Sequence, residues 1–303
     1  MRRWKWIAAI GASAAFLYGI TFIGAKPAPP TVGIKGAIFR VIDLRYDPDR
    51  RFPVVKPEKS LPEDGAILCS WDRDRYLHFF PVHAPGGYDV AFLDTDGKII
   101  EIQPLRASAV DFLEDAGVSS NVQARRAIFL PEGTAAKMKL AIGEVVRIPS
   151  ALATGAEPMP VIKVDGHALH VEVSDRARMR SRGLMHRPTM SKEEGMLFMY
   201  PQPMSNPFLS FYMRNTLMSL DIAYFDDQGK LLNVCPTQRA KNPAVDGANI
   251  QAPAVGPAQF VLEVPIGWFQ ERGLIDADGK PVKPVTMELS ADLLRRARQA
   301  EGR

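Results

Sequence analysis

The stretch FYMRNTLMSLDIAYFDDQGKLL, Phe211 to Leu232, is written twice in this chain. FFPVHAPGGYDVAFLDTDGKII, Phe79 to Ile100, keeps its apolar and turn positions and drops its polar centre. Sliding the chain on itself extends the match without a gap: Asp89 to Pro104 lies on Asp221 to Pro236, an offset of 221 − 89 = 132. Each copy has apolar residues on both sides of a DTDG or DDQG turn, the chemistry of a β-hairpin. Further pairs follow in the same order: LPEDGAIL at Leu61 with MSKEEGMLF at Met190, NVQA at Asn121 with NIQA at Asn249, and FLPEG at Phe129 with EVPIG at Glu263. A tandem duplication explains all four, with a period far longer than a solenoid repeat.

The organisation that follows is a signal or anchor segment and linker over 1–30, a degenerate first repeat over 31–151, a second repeat over 152–280 and a basic tail over 281–303. Each repeat reads as an α+β, mostly-β unit: a small barrel-like mixed sheet with one or two short helices. SDRARMRSRGLM, from Ser174, is expected to open a helix capped by Ser174 or Asp175. PIGWFQERGL, from Pro265, is expected to be a short helix, and SADLLRRARQAEGR a basic amphipathic one with Ser290 at its N-cap.

The chain has 303 residues, 46% hydrophobic and 24% charged, which is ordinary globular composition. Its net charge of +4 owes much to Arg2, Arg3 and Lys5, so no nucleic-acid footprint remains in the folded part. MRRWKW followed by the uncharged run Ile7 to Ala25 has the layout of an export signal and nearly the length of a bilayer span. Ile23 and the following Lys-Pro fit a cleavage site poorly, which favours an uncleaved apolar helix as the anchor, with the bulk facing the periplasm; a cleaved signal would leave it soluble there. Cys69 and Cys235 occupy non-equivalent places in the repeats, so a bridge between them would have to join the two domains; two packed thiols is the alternative.

RSRGLMHRPTMSKEEGMLFMYP, then FYMRNTLMSLDIAYFDDQGKLL, then AQFVLEVPIGWFQERGL resemble the domain of unknown function 192 family, a group of exported or membrane-anchored domains. The resemblance runs from about Val161 to Leu274. Arg214 stands where that pattern usually has Lys, Ser219 where it has Pro, and Tyr212 where Trp is common. The first repeat resembles it only weakly: Pro81, Val82, His83 and Ala84 replace MRNT, and nothing corresponds to the RxxGLM segment. The resemblance brings no activity with it, but it implies that any site lies in the second copy.

Candidate binding residues are Arg180, Arg187, Arg214, Asn215, Thr216 and Glu263, with Arg182 and Asp221 beside them. Guanidinium, amide and hydroxyl groups together donate many hydrogen bonds, as a carboxylate, phosphate, sulfate or sugar requires. Asp221 is retained as Asp89 in the copy that lost the motif, so it reads as structural. Glu263 aligns with Phe129, at an offset of 134, and is the catalytic candidate if there is catalysis. Asn215 and Thr216 also suit a turn or cap, and Arg214 a solvated position. Eight methionines between Met179 and Met218 raise a Cu(I) reading against simple core packing; no cofactor or metal is expected from these spacings. Phosphate loop, dinucleotide fingerprint, GxSxG elbow and HExxH helix are all missing. Three readings follow: an envelope-located binding module for a small anionic or sugar ligand, a hydrolase of envelope glycan or sulfated sugar using Glu263, or a scaffold for partners.

Overall fold

The computed structural model describes residues 28–41, 61–79, 86–107, 114, 116–153, 158–204 and 209–300. The expected apolar helix and the PVHA segment of the first repeat lie outside them. Among the described residues no helix is long and apolar enough to cross a membrane.

The first repeat contains β1 (Thr31–Ile34), β2 (Ala37–Val41), β3 (Gly65–Arg75), β4 (His78–Phe79), β5 (Tyr88–Leu93), β6 (Ile99–Leu105), β7 (Val118–Ser119) and β8 (Ala124–Pro131), then helices α1 (Thr134–Met138) and α2 (Ser150–Ala153). The second contains β9 (Val161–Val164), β10 (His167–Ser174), α3 (Ala177–Arg182), β11 (Glu194–Met204), β12 (Ser210–Tyr212), β13 (Leu220–Phe225), β14 (Leu231–Thr237), β15 (Gln251–Pro253), β16 (Ala258–Pro265), α4 (Trp268–Glu271), β17 (Met287–Glu288) and α5 (Ala291–Arg298). The strand orders are β1-β2-β3-β8-β5-β6 and β14-β13-β16-β11-β10-β9-β17. Read from opposite ends they are one topology, with β17 added to the second. Both sheets are mixed, because β2 with β3 and β10 with β11 run parallel while the other pairs are antiparallel. The unit is thus mostly β with a few short helices.

The repeated residues carry the same tasks in both sheets. Asp89 faces Leu130 and Asp221 faces Val264, so the alignment of the two copies is also the alignment of their ladders. In the hairpin turns Asp94 Oδ1 accepts from the amides of Asp96 and Lys98, and Asp226 Oδ1 from those of Gln228 and Lys230. The glycine that follows is required twice over. Gly97 (φ 80°) and Gly229 (φ 76°) take left-handed backbone, and a Cβ on them would sit 2.7 Å from Val146 O and 2.5 Å from Met287 O. Those oxygens belong to segments that lace the two edges of each sheet together. Val146 N donates to Gly97 O while Arg147 and Gly33 exchange bonds across β1; Met287 N donates to Gly229 O while Asp165 N, at the end of β9, donates to Thr286 O. Each sheet therefore curls into a half-barrel whose open side is closed by its own downstream chain.

Alternation along the strands divides each repeat into two apolar clusters. In the second, Leu197, Met199, Phe260, Leu262 and Val264 form one with Trp268, Phe269 and Leu293; Met196, Phe198, Tyr200, Val261 and Met213 form the other. The C-terminal helix is capped by Ser290, which accepts from Leu293 N at 3.2 Å, and seals the first cluster with Leu293 and Ala297. The helix foreseen at Ser174 begins later: Arg176 is the N-cap residue of α3 and makes no side-chain cap, because Ser174 is still in β10.

Asp89 and Asp221 share one duty. Asp89 Oδ2 accepts from Ala135 N at 2.6 Å at the start of α1, and Asp221 Oδ2 from Phe269 N at 3.1 Å at the start of α4. Gly133 and Gly267, both left-handed, aim those amides at the carboxylate. Burial raises the Asp221 carboxyl above its ordinary range, opposed by the amides of Phe269, Gly267 and Trp268. Asp221→Ala strands a buried amide and should cost about 1–3 kcal/mol of unfolding free energy in urea melts, and Asp89→Ala, at a part-buried bond, less. An Asp221 variant of wild-type stability would show that the carboxylate has some other task.

Candidate functional site

A cavity of about 360 Å³ opens in the second repeat between α3 with its following turn, β11, β12 and β16. Its polar lining is Arg180, Ser181, Arg182, Ser210, Tyr212, Thr216 and Glu263; Phe198, Tyr200 and Phe211 supply rings. Of the residues singled out in the sequence, Arg180, Thr216 and Glu263 meet here, joined by Arg182.

Glu263 follows from strand alternation. In VLEVP, Val261 packs with Phe198 and Tyr224 while Leu262 and Val264 turn to the opposite cluster. Residue 263 must then share the face of Val261, and a carboxylate appears where an apolar residue belongs. It is only 6% exposed. The equivalent ladder position in the first repeat is Phe129, which pairs with Val90 as Glu263 pairs with Ile222. Phe129 is packed edge-on against Phe79 at 4.8 Å and Tyr88 at 6.0 Å. One repeat fills this position with a ring; the other places an acid in the wall of a cavity.

Gly183 shapes the opposite wall. It has φ 50° and ψ −133°, backbone that an L side chain rarely takes, and a Cβ there would lie 3.3 Å from the Phe198 ring and 3.8 Å from Glu263 Oε2. The two arginines differ. Arg180 lies over the Tyr200 ring at 4.8 Å and donates to the carbonyls of Asp175 (2.9 Å) and Met199 (3.1 Å), so its plane is fixed. Arg182 is 2% exposed, among the most deeply buried large side chains in the chain. The rings of Phe198 and Phe211 meet edge-to-face at 4.8 Å, with Tyr224 behind Phe211. Burial pushes the Tyr224 hydroxyl far above its ordinary range, with Cys235 and Glu263 adding to it, and that hydroxyl donates to Ala252 O. The acid thus stands at the edge of an aromatic, arginine-bearing hollow.

Arg187, Arg214 and Asn215 are placed elsewhere. Arg187 grips Glu172 with both terminal nitrogens, at 2.7 and 2.8 Å. Glu172 also bonds Arg75 of the first repeat, whose guanidinium lies 3.3 Å from Glu194 and 3.1 Å from Met159 Sδ. Arg75, Glu172 and Glu194 are all under a tenth exposed, and burial raises the Glu194 carboxyl. Arg214 is exposed and pairs with Glu114 of the first repeat. Asn215 takes left-handed backbone (φ 54°), its amide donating to Pro243 O at 3.0 Å and its carbonyl accepting from His186 N at 2.7 Å. Its side-chain amide reaches Glu114 at 3.2 Å. The turn is tight, since a Cβ on Gly247 would fall 2.3 Å from Met213 O.

The rings of Phe198, Tyr200 and Phe211 were missed as lining residues, although the alternation that exposes Glu263 also gives Phe198 and Tyr200 the same face. Met196, Met199 and Met213 pack in the apolar clusters at no more than 1% exposure, while Met185 lines the cavity. Among the described residues no group of His, Cys, Asp and Glu is arranged to hold a metal ion. Neither Cys69 nor Cys235 forms a disulfide, and burial raises the Cys235 thiol.

The backbone at Asn215 yields a clean test of its role. Asn215→Gly suits the left-handed turn, whereas Asn215→Ala keeps a β-carbon there without the short polar side chain that makes αL tolerable, and should lose about 1–2 kcal/mol more in chemical unfolding. Equal losses would show that the side chain, not the turn, sets this position.

Comparison with known proteins adds the family. No curated protein matches the chain. A solved structure of a protein of unknown function from Novosphingobium aromaticivorans DSM 12444 shares 27% identity over 42% of this chain and 83% of its own, with a TM-score of 0.33. Another, from Sinorhizobium meliloti 1021 and described as a candidate transcription regulator, shares 22% identity over 44% of this chain and 98% of its own, with a TM-score of 0.34. The model of the domain of unknown function 192 family, described as an uncharacterised ACR, matches twice, over residues 52–148 and 160–280, well over half of the chain. With its two copies in tandem, the chain belongs to the domain of unknown function 192 family.

Proposed function

We propose that the second repeat is a binding module for a small polyhydroxylated ligand of the sugar class, one that tolerates an acidic substituent, and that it works in the cell envelope. The observation that carries the reading is Glu263: a buried acid lining a cavity at the position where the sister repeat has a packed phenylalanine. A carboxylate in a cavity wall is a strong hydrogen-bond acceptor, and ligand hydroxyls are donors of the right kind for it. Tyr200 and Phe211 offer apolar faces to the C–H side of a sugar ring, and Arg180 and Arg182 offer donors to its oxygens and to a carboxylate or sulfate. A volume near 360 Å³ is within the range of roughly 300–1,000 Å³ usual for small-molecule sites. The envelope location rests on the basic start and the uncharged run Ile7 to Ala25.

Binding is favoured over hydrolysis by the composition of the lining. Glu263 is the one carboxylate among the described residues of the cavity wall, whereas glycoside hydrolysis generally uses two that flank the bond.

A thermal-shift screen of the full chain against neutral, uronic and sulfated sugars, cell-wall fragments, phosphate and sulfate tests the reading. A sugar at a hundred times its Kd adds about 2.7 kcal/mol of stability, a rise of roughly 5–10 °C in Tm. Glu263→Gln and Arg180→Met should abolish the rise. A rise that survives both changes, or no rise with any sugar, contradicts the proposal.

A further inference from the structure

Among the described residues, the first repeat meets the second around Arg75 and at Glu114, and both contacts flank the same wall of the cavity. That wall is the turn after α3, in which Gly183, Leu184 and Met185 line the hollow and His186 and Arg187 continue the chain. Its own backbone bonds are short-range: Met185 N donates to Arg182 O and Arg187 N to Leu184 O at a long 3.3 Å. Leu184 packs into the apolar cluster of its own repeat, and two polar contacts among the described residues reach the stretch from outside. At Arg187 the guanidinium is forked onto Glu172, and Glu172 is held in turn by Arg75 from β3 of the first repeat. At His186 the backbone amide donates to Asn215 O, and the Arg214–Asn215 turn is clasped by Glu114 of the first repeat.

From this geometry we infer that the first repeat positions the cavity wall of the second: Arg75, acting through Glu172 and Arg187, and Glu114, acting through Asn215, fix the stretch from Gly183 to Arg187. The arrangement also explains where the sequence spends its polar residues. Arg187, Arg214 and Asn215 are withheld from the cavity because they form the surface on which the sister repeat sits. Arg75, at 4% exposure, is where β3 resumes its ladder with β8, opposite Ala124, after the register shift that follows Ser70. A buried arginine between two buried acids from the other repeat is a contact with one geometry, well suited to fixing orientation. In the first repeat the cavity position is filled by Phe129, so its contribution is structural support for its neighbour and not a second pocket.

Hydrogen exchange on the full chain decides the matter without any ligand. Arg75→Gln should speed exchange at the amides of Met185, His186 and Arg187 about tenfold or more, while the amide of Phe269, bound to Asp221 on the far side of the repeat, keeps its rate. Arg75→Lys, which restores the charge without the fork, should fall between. Where Arg75→Gln does not fold, Glu114→Ala, at an exposed position, carries the same test at His186. Unchanged exchange at these amides in a folded variant overturns the inference, as does a rise spread evenly over the repeat. The only consequence that rests on the sugar-binding reading is a matching loss of affinity, about tenfold in Kd. Should no sugar bind the wild-type chain, that reading falls while the exchange data still decide the positioning.

Discussion

The inner face of a curled sheet has to be filled, and what fills it at one ladder position divides the two halves of this protein. Position 129 holds a phenylalanine locked among Phe79 and Tyr88, and position 263 holds a glutamate beside Phe198 and a hollow. A phenylalanine at such a site contributes roughly 1.5–3 kcal/mol by leaving water, whereas an acid there is expensive to bury. The two copies therefore differ in chemistry at a ladder position that faces the cavity. The surrounding devices, from the left-handed Gly183 to the stacked Arg180, are arranged around that carboxylate.

Duplication also changed what the polar surface of each repeat must do. Two independent domains on a linker would leave Arg75, Glu172 and Glu194 exposed to water; here they are buried against one another. Ion groups so placed contribute little net stability, because desolvation offsets attraction, but they tolerate only one docking geometry. On the proposed reading, that neighbour would hold one side of the cavity in place, and a preformed wall lowers the entropy lost on binding.

Much of the architecture was legible in the sequence because its devices are local. The DTDG and DDQG turns announce hairpins, and the gapless match of Asp89–Pro104 with Asp221–Pro236 predicts the equivalence of their ladders, down to Asp89 and Asp221 capping α1 and α4. Glu263 could be singled out because comparing the copies exposes an acid at an apolar position. Arg187, Arg214 and Asn215 were harder. They resemble ligand-binding residues in composition, and their engagement with Glu172 and Glu114 depends on how the repeats dock, which no local spacing encodes. The role of the edge-lacing segments was hidden for the same reason: the approach of Met287 O to Gly229 joins residues far apart in sequence.

The most direct measurement of the central claim is a crystal structure of the full chain grown with the sugar that stabilises it most. The account predicts the ring against Tyr200 and Phe211, with two hydroxyls on the Glu263 carboxylate. Sugar density at the Arg214–Asn215 surface with the cavity empty, or density turned away from Glu263, would contradict it.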